Sequence, residues 1–212
     1  MGQTLRNAFY RSVDPVAERL AGWGVRPNTM TALGLALAAL SGLAYGLGHL
    51  FFGGVLLAFS GICDALDGLV ARRSGWEYKL GAFLDSSVDR AGEALVGLGL
   101  FAFFLNARSG EQVSPDWFAA GVLALAVFLL ASQLVSYVKA RAEALGAECR
   151  IGLMQRPERL IGLVFLSWVA AWPGPGVKIL IVGLSLMALL TAFTVYQRFV
   201  HVLKSLDQAG GR

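Results

Sequence analysis

Charged residues are scarce in this chain of 212 residues, since Asp, Glu, Lys and Arg together make up only 15% of it. Hydrophobic residues make up 56%, and the mean hydropathy is +0.62. The stretch from Pro27 to Cys63 contains no charged residue at all, which is too long for one membrane span and sufficient for two. This scarcity of charge argues against an ordinary soluble protein and indicates an integral membrane protein with several spanning helices.

Cysteine is also rare, and the chain has only Cys63 and Cys149. One lies in a predicted span and the other in a predicted loop, so we expect no disulfide between them. No apolar run opens the chain, where Arg6 and Arg11 stand instead, so no cleavable signal peptide is expected. The net charge of +4 is distributed as membrane topology requires, and nucleic acid is therefore not expected as a partner.

Long apolar stretches separated by short polar turns predict an all-α integral membrane protein with six transmembrane helices. We expect one domain over residues 1–212, with the six-helix bundle at 27–205. The predicted spans are 30–48, 54–73, 80–105, 117–140, 157–172 and 177–199.

Residues 1–26 precede the first span and are predicted to form an amphipathic helix in the membrane interface. Apolar residues recur in this segment near helical spacing, at Leu5, Phe9, Val13, Val16 and Leu20. The alternative for this segment is a helix that packs on the polar end of the bundle. Sequence periodicity alone does not distinguish the two arrangements.

The positions of the basic residues predict the orientation of the spans. With the N-terminus inside the cell, Arg108 and Lys178 are the only two of the 18 basic residues that fall outside. We therefore expect a multi-pass protein of the cell membrane, with its polar chemistry at the cytoplasmic face.

Four aspartates interrupt the apolar sequence between residues 64 and 89. Asp64 and Asp67 are three residues apart, and Asp85 and Asp89 are four apart, so each pair lies on one face of a helix. The charged stretch 72–79 predicts a turn between two antiparallel helices, which would bring the pairs together. Acids within membrane spans are costly and usually functional, and clusters of carboxylates suit hard divalent cations.

A family resemblance rests on these residues. The pattern Asp64-x2-Asp67-Gly68-x2-Ala71-Arg72-x8-Gly81-x3-Asp85-x3-Asp89 resembles the signature of the CDP-alcohol phosphotransferases at every fixed position. The resemblance implies that the four aspartates hold two metal ions, Mg²⁺ or alternatively Mn²⁺, and that Asp89 deprotonates the acceptor hydroxyl. It further implies CDP-diacylglycerol (CDP-DAG) as donor and a homodimer.

The residues expected to bind the CDP-lipid lie in two stretches. The first span opens with a Pro-Asn-x-x-Thr element similar to one that the family associates with the CDP-lipid, and helix N-termini favour pyrophosphate. The second stretch contains glycines that permit close approach and an arginine that pairs with phosphate. Helix capping and close helix packing are the structural alternatives. The predicted residues are Asn28, Thr29, Met30, Thr31, Gly68, Ala71, Arg72, Tyr78 and Gly81.

The acceptor is predicted from basic residues at the helix ends. Cations within a membrane boundary are costly, and an acceptor that carries its own phosphate would compensate them. The elements Ser136-Tyr137-Val138-Lys139-Ala140-Arg141 and Arg156-Pro157-Glu158-Arg159 resemble the phosphatidylinositol-phosphate synthase branch of the family. The resemblance implies that the inositol phosphate is held by Lys139, Arg159 and Arg198.

Several alternatives stay open from the sequence. Glycerol phosphate would need similar cations, so a phosphatidylglycerophosphate synthase is one, and a CDP-archaeol transferase with ether lipids is another. An ion-coupled transporter would also use acids within the membrane, but it would be expected to show a second copy of the aspartate pattern, and the chain has none. A metal-binding structural protein would leave the basic residues unexplained.

Overall fold

The computed structural model describes residues 3–76 and 79–210 of the chain. Within these ranges there is no strand, and the helices are α1 (Gln3–Gly22), α2 (Pro27–Gly46), α3 (Leu50–Ser74), α4 (Lys79–Ser109), α5 (Pro115–Ala144), α6 (Arg156–Ala170) and α7 (Gly176–Gly210). Four of these helices, α2, α3, α5 and α7, are long and apolar enough to cross a membrane. The predicted all-helical membrane protein is therefore confirmed.

Each of the six predicted spans falls on one of the helices α2 to α7. Helix α4 continues through Asn106 to Ser109, where a loop was expected, and α7 continues to Gly210, well past the predicted end of the last span at 199. Helix α6 has only 15 residues, or about 22 Å, against a hydrocarbon core of about 30 Å. Since α4 also carries Asp85 and Asp89, the count of six spans stays a prediction.

The chain divides into two compact units, Met1–Phe103 and Phe104–Arg212. In the first unit, α2 and α3 pack closely because small residues face each other. The Ser41 hydroxyl donates a hydrogen bond to the Gly53 carbonyl (2.7 Å), and the Ser60 hydroxyl donates to the Gly34 carbonyl (2.8 Å). The fully buried ring of Tyr45 lies against Gly53, in the space that a side chain there would take.

Helix α1 packs against α3 in the same unit. Ala17 is fully buried together with Leu66 and Val70, and Val13 and Leu20 pack against this cluster. The Arg73 guanidinium donates two hydrogen bonds to the Asp14 carboxylate, at 2.5 and 3.2 Å. Val13 and Leu20, two of the apolar residues expected to face lipid, therefore contact α3. This agrees with the alternative in which α1 packs on the bundle. The location of α1 in the membrane interface stays a prediction.

In the second unit, α7 packs against both α5 and α6. Gly121 on α5 leaves room for Ile181, and Gly162 on α6 leaves room for Met187. Large apolar side chains such as Leu180 and Leu184 are fully buried at the centre of this unit. Small residues at helix contacts are the usual means of close packing within a membrane.

Candidate functional site

The acidic cluster lies in the first unit, where α3 and α4 bring three carboxylates together. Oxygen atoms of Asp64, Asp67 and Asp85 all lie within 4.8 Å of one another. Asp67 is only 7% exposed, and Asp64 and Asp85 are half-buried. Gly75 ends α3 in the left-handed conformation (φ 67°), which allows the chain to turn between the two helices. The juxtaposition expected from the spacing is therefore confirmed for these three aspartates.

The fourth aspartate, Asp89, is half-buried one helical turn beyond Asp85 on α4. The group of three carboxylates found among the described residues consists of Asp64, Asp67 and Asp85 and does not include Asp89. Its role as a metal ligand and as the base stays a prediction.

A hydrogen bond joins the start of α2 to the acidic cluster. The Thr31 hydroxyl donates to Oδ2 of Asp67 at 2.9 Å, and it also lies 3.3 Å from the Pro27 carbonyl oxygen. Nearby, the Arg26 guanidinium lies over the Trp76 ring at 5.9 Å, so the N-terminal end of α2 meets the C-terminal end of α3. The sequence predicts that Thr31 binds the CDP-lipid and gives no signal for its contact with Asp67.

The other predicted donor-binding residues occupy the ends of the same helices. At the start of α2, Asn28 is half-buried, Thr29 is exposed and Met30 is buried. The exposed guanidinium of Arg72 lies above Gly68, 3.5 Å from the position that a Cβ atom would take there. The half-buried residues of this set on α3 and α4 are Gly68, Ala71 and Gly81, and Tyr78 lies outside the described residues.

The predicted acceptor residues lie in the second unit. Arg159 and Arg198 are only 2% and 4% exposed, whereas the side chain of Lys139 is 48% exposed and lies 3.7 Å from Glu143. Arg198 donates to the carbonyl oxygens of Val135 (2.6 Å) and Ile151 (2.8 Å). A buried guanidinium is costly without hydrogen-bond acceptors, and these backbone carbonyls supply them for Arg198. The predicted binding of an acceptor phosphate by Lys139, Arg159 and Arg198 stays a prediction.

Both buried arginines also hold the loop between α5 and α6. Arg159 donates to the Met154 carbonyl at 3.1 Å, and Arg198 contacts the same loop at Ile151. The sequence offered no signal for these carbonyl partners, because any residue supplies a backbone carbonyl. A structural role therefore accompanies whatever role these side chains have toward a ligand.

The chemistry of the acidic donors fits a divalent cation. Three carboxylates that meet within 4.8 Å offer only oxygen ligands, which Mg²⁺ and Mn²⁺ prefer. The three carboxylates repel one another at a site partly shielded from water, and a cation bound among them would relieve this repulsion. The same cation could orient phosphoryl oxygens and stabilise charge on a leaving group.

Comparisons with known proteins agree with this chemistry. Residues 24–203 match the model of the CDP-alcohol phosphatidyltransferase family. The chain is 33% identical over 201 residues to archaetidylinositol phosphate synthase of Methanothermobacter thermautotrophicus, covering 95% of this chain and 93% of that protein.

Solved structures give the same result. The crystal structure of Mycobacterium tuberculosis phosphatidylinositol phosphate synthase with CDP-DAG bound has a TM-score of 0.78 at 33% identity, covering 92% of this chain and 95% of that one. The complex of the same enzyme with manganese and citrate has a TM-score of 0.76 at 33% identity, covering 91% and 90%. The chain belongs to the CDP-alcohol phosphatidyltransferase family.

Proposed function

We propose that this protein is a phosphatidylinositol-phosphate synthase, a membrane transferase of phospholipid biosynthesis. It transfers the phosphatidyl group of CDP-DAG to inositol phosphate and releases CMP. The observation that carries the proposal is the meeting of Asp64, Asp67 and Asp85 in a helical membrane protein of this family. Relatives that cover most of the chain carry this activity in their names, and one was crystallised with CDP-DAG.

The aspartates hold divalent metal in this proposal. Asp64, Asp67, Asp85 and Asp89 would hold two Mg²⁺ ions, with Mn²⁺ as the alternative. The metal, when bound, supplies electrostatic stabilisation of the pyrophosphate and of the departing CMP. Thr31 fixes the orientation of the Asp67 carboxylate through its hydrogen bond.

The transfer itself needs one base and one nucleophile. Asp89 accepts the proton of the acceptor hydroxyl, and the hydroxyl oxygen forms a bond to the lipid-side phosphorus. The bond between that phosphorus and the bridging oxygen of the pyrophosphate breaks in line, and CMP leaves with the electron pair. Arg72 and the residues at the start of α2, Asn28, Thr29 and Met30, position the CDP group. Gly68, Ala71 and Gly81 leave room for it.

The acceptor phosphate binds to Lys139, Arg159 and Arg198 in this proposal. Arginine binds phosphate through paired hydrogen bonds, and burial strengthens such contacts. An ether-linked lipid tail is the second candidate for the donor, since the archaeal relative is named archaetidylinositol phosphate synthase.

The proposal includes an arrangement of the whole chain. Residues 27–205 form a bundle of six spans within one functional domain, α1 lies in the interface, and two copies assemble as a homodimer. The cytoplasmic orientation follows from the basic residues, because all but Arg108 and Lys178 of the 18 fall on that side.

An assay of CMP release from CDP-DAG by purified protein tests the function. We expect turnover with inositol 1-phosphate and Mg²⁺, slower turnover with glycerol 3-phosphate and none with free inositol or after chelation of the metal. Faster turnover with glycerol 3-phosphate would refute the inositol assignment, and equal turnover with free inositol would refute the phosphate site.

Variants link the same assay to the acidic cluster. Asp64→Asn, Asp67→Asn and Asp85→Asn should each abolish turnover and weaken metal binding, because an amide supplies no charge to the cation. Asp116→Asn is the matched control, since Asp116 is exposed in the first turn of α5. Near-normal activity in any of the three variants would exclude that residue as a ligand.

A further inference from the structure

A pocket of about 660 Å³ lies in the second unit, between the loop that precedes α6 and the last turns of α7. Its size is within the range of small-molecule binding sites. Lys139, Arg159 and Arg198 are absent from its lining among the residues that the structure describes. The pocket therefore has a lining of its own next to the acceptor site proposed above, and the two meet at Ile151, whose carbonyl accepts a hydrogen bond from Arg198.

The loop wall of this pocket is held in place by hydrogen bonds. The Met154 amide donates to the Thr194 hydroxyl at 3.0 Å, and the Gln155 side-chain amide donates to the Gly152 carbonyl at 3.2 Å. Gly152 has φ 125°, and a side chain there would collide with Thr194. Nε2 of His201 lies 3.1 Å from the Glu148 carbonyl oxygen and joins α7 to the start of the loop. Because these contacts fix the wall, the pocket is preformed.

The lining combines positive charge with apolar surface. Arg150 and Lys204 contribute cations, and no acidic residue is found among the described residues that line the pocket. The exposed carboxylate of Glu148, outside this lining, lies 3.9 Å from Nε of Arg150. Apolar side chains from both walls complete it, notably Leu153 and Val200. This pairing is complementary to a ligand that has an anionic group next to an apolar one.

The place of the pocket along α7 indicates where such a ligand would come from. Helix α7 has 35 residues, or about 52 Å, and is much longer than a hydrocarbon core of about 30 Å. Its first part is apolar, whereas its last turns carry His201, Lys204 and Asp207. The pocket at these last turns thus coincides with the level at which lipid phosphates meet water.

We propose that this pocket binds the phosphate of an anionic membrane phospholipid, separately from donor and acceptor. Arg150 and Lys204 contact the phosphate, and Leu153 and Val200 contact the upper part of the acyl chains. A phosphodiester next to hydrocarbon matches both halves of the lining, whereas a soluble phosphate ester matches only the cationic half.

Calorimetric titration of the purified full chain in neutral detergent with dihexanoyl phosphatidylglycerol tests the site. The pocket variant is Arg150→Gln/Lys204→Gln. The matched control is Arg108→Gln/Lys178→Gln, which removes the same charge at two exposed positions outside the pocket. We expect the pocket variant to bind about tenfold more weakly than the control, since it loses two contacts to a charged group. Equal affinity of the two variants would overturn the proposal.

Two further titrations separate the lipid from a soluble ester. Leu153→Ser should weaken binding of the lipid, and it is tolerated by the fold because Leu153 is 58% exposed. Glycerol 3-phosphate should show no difference in affinity between the pocket variant and the control. If it shows the same difference as the lipid, the site takes soluble phosphate esters and the lipid assignment is wrong. These readouts are binding affinities, so they do not depend on whether the chain has the transferase activity proposed above.

Discussion

At the scale of single residues, the hydrogen bond from Thr31 to Asp67 links two helices at the acidic cluster. Asp67 is the most buried of the three clustered aspartates, so its carboxylate depends on protein partners rather than on water for its orientation. We therefore expect Thr31 to position Asp67, which is a metal ligand in the proposed function.

Thr31→Val keeps the shape of the side chain but removes the donor to Asp67. We expect Mn²⁺ affinity to fall by about tenfold or more, because loss of an outer partner of a metal ligand weakens metal binding by about 10–100-fold. Calorimetric titration with Mn²⁺ in the absence of substrate measures the change. Thr29→Val is the matched control, because Thr29 is exposed two residues earlier in the same helix. Unchanged affinity in Thr31→Val would exclude the positioning role.

Asp89 supplies a second prediction at this scale. Asp89→Asn should leave CDP-DAG binding largely intact while turnover falls by about 10²–10⁴-fold, because an amide cannot accept the acceptor's proton. The measurements are CDP-DAG affinity and the initial rate of CMP release at neutral pH. Full activity in this variant would remove Asp89 from the mechanism.

At the scale of elements, the contact between α2 and α3 places Thr31 beside Asp67, whereas α3 and α4 bring the carboxylates of the acidic cluster together. The two helices approach closely because glycines and serines face each other. The two serine-to-carbonyl hydrogen bonds need this closeness, and so does the burial of Tyr45 over Gly53.

A pair of identical substitutions tests this contact. Gly53→Ala would place a methyl group into the Tyr45 ring, and such overpacking costs about 1–3 kcal/mol. Gly34→Ala meets its nearest neighbours at 3.5 Å, which is ordinary contact, so the helix propensity of alanine should leave stability unchanged or slightly raised. Thermal unfolding in detergent compares the two. A melting temperature of Gly53→Ala equal to that of Gly34→Ala would refute the packing account.

At the scale of the whole molecule, the distribution of basic residues predicts how the chain crosses the membrane. A reporter fused after Lys204 should read cytoplasmic, and a reporter inserted at Gly110 should read external, because Arg108 and Lys178 are the only basic residues on that side. Reporter fusions expressed in cells measure both positions. The reverse pattern would overturn the orientation and with it the cytoplasmic release of CMP.

Much of the fold could be predicted because its signals are local. Apolar runs bounded by glycine, proline and charge gave helices close to those observed, as with the span predicted at 54–73 and α3 at Leu50–Ser74. The helical spacing of the aspartates also predicted that Asp64, Asp67 and Asp85 meet. The partner of α1 could not be predicted in this way. Apolar residues of α1 contact α3, and the apolar periodicity of α1 is the same whether the helix faces another helix or lipid, because both surfaces are apolar.

The sequence by itself determined the helical membrane class, the family and a set of four aspartates of which three cluster, because spacing along one helix and the turn to the next are properties of neighbouring residues. Only the tertiary structure decided which distant groups meet. Thr31 and Asp67 are 36 residues apart, and the Arg198 guanidinium contacts a carbonyl 63 residues away. Such contacts depend on how closely whole helices approach, which is set by the sum of many small side-chain contacts rather than by any local pattern.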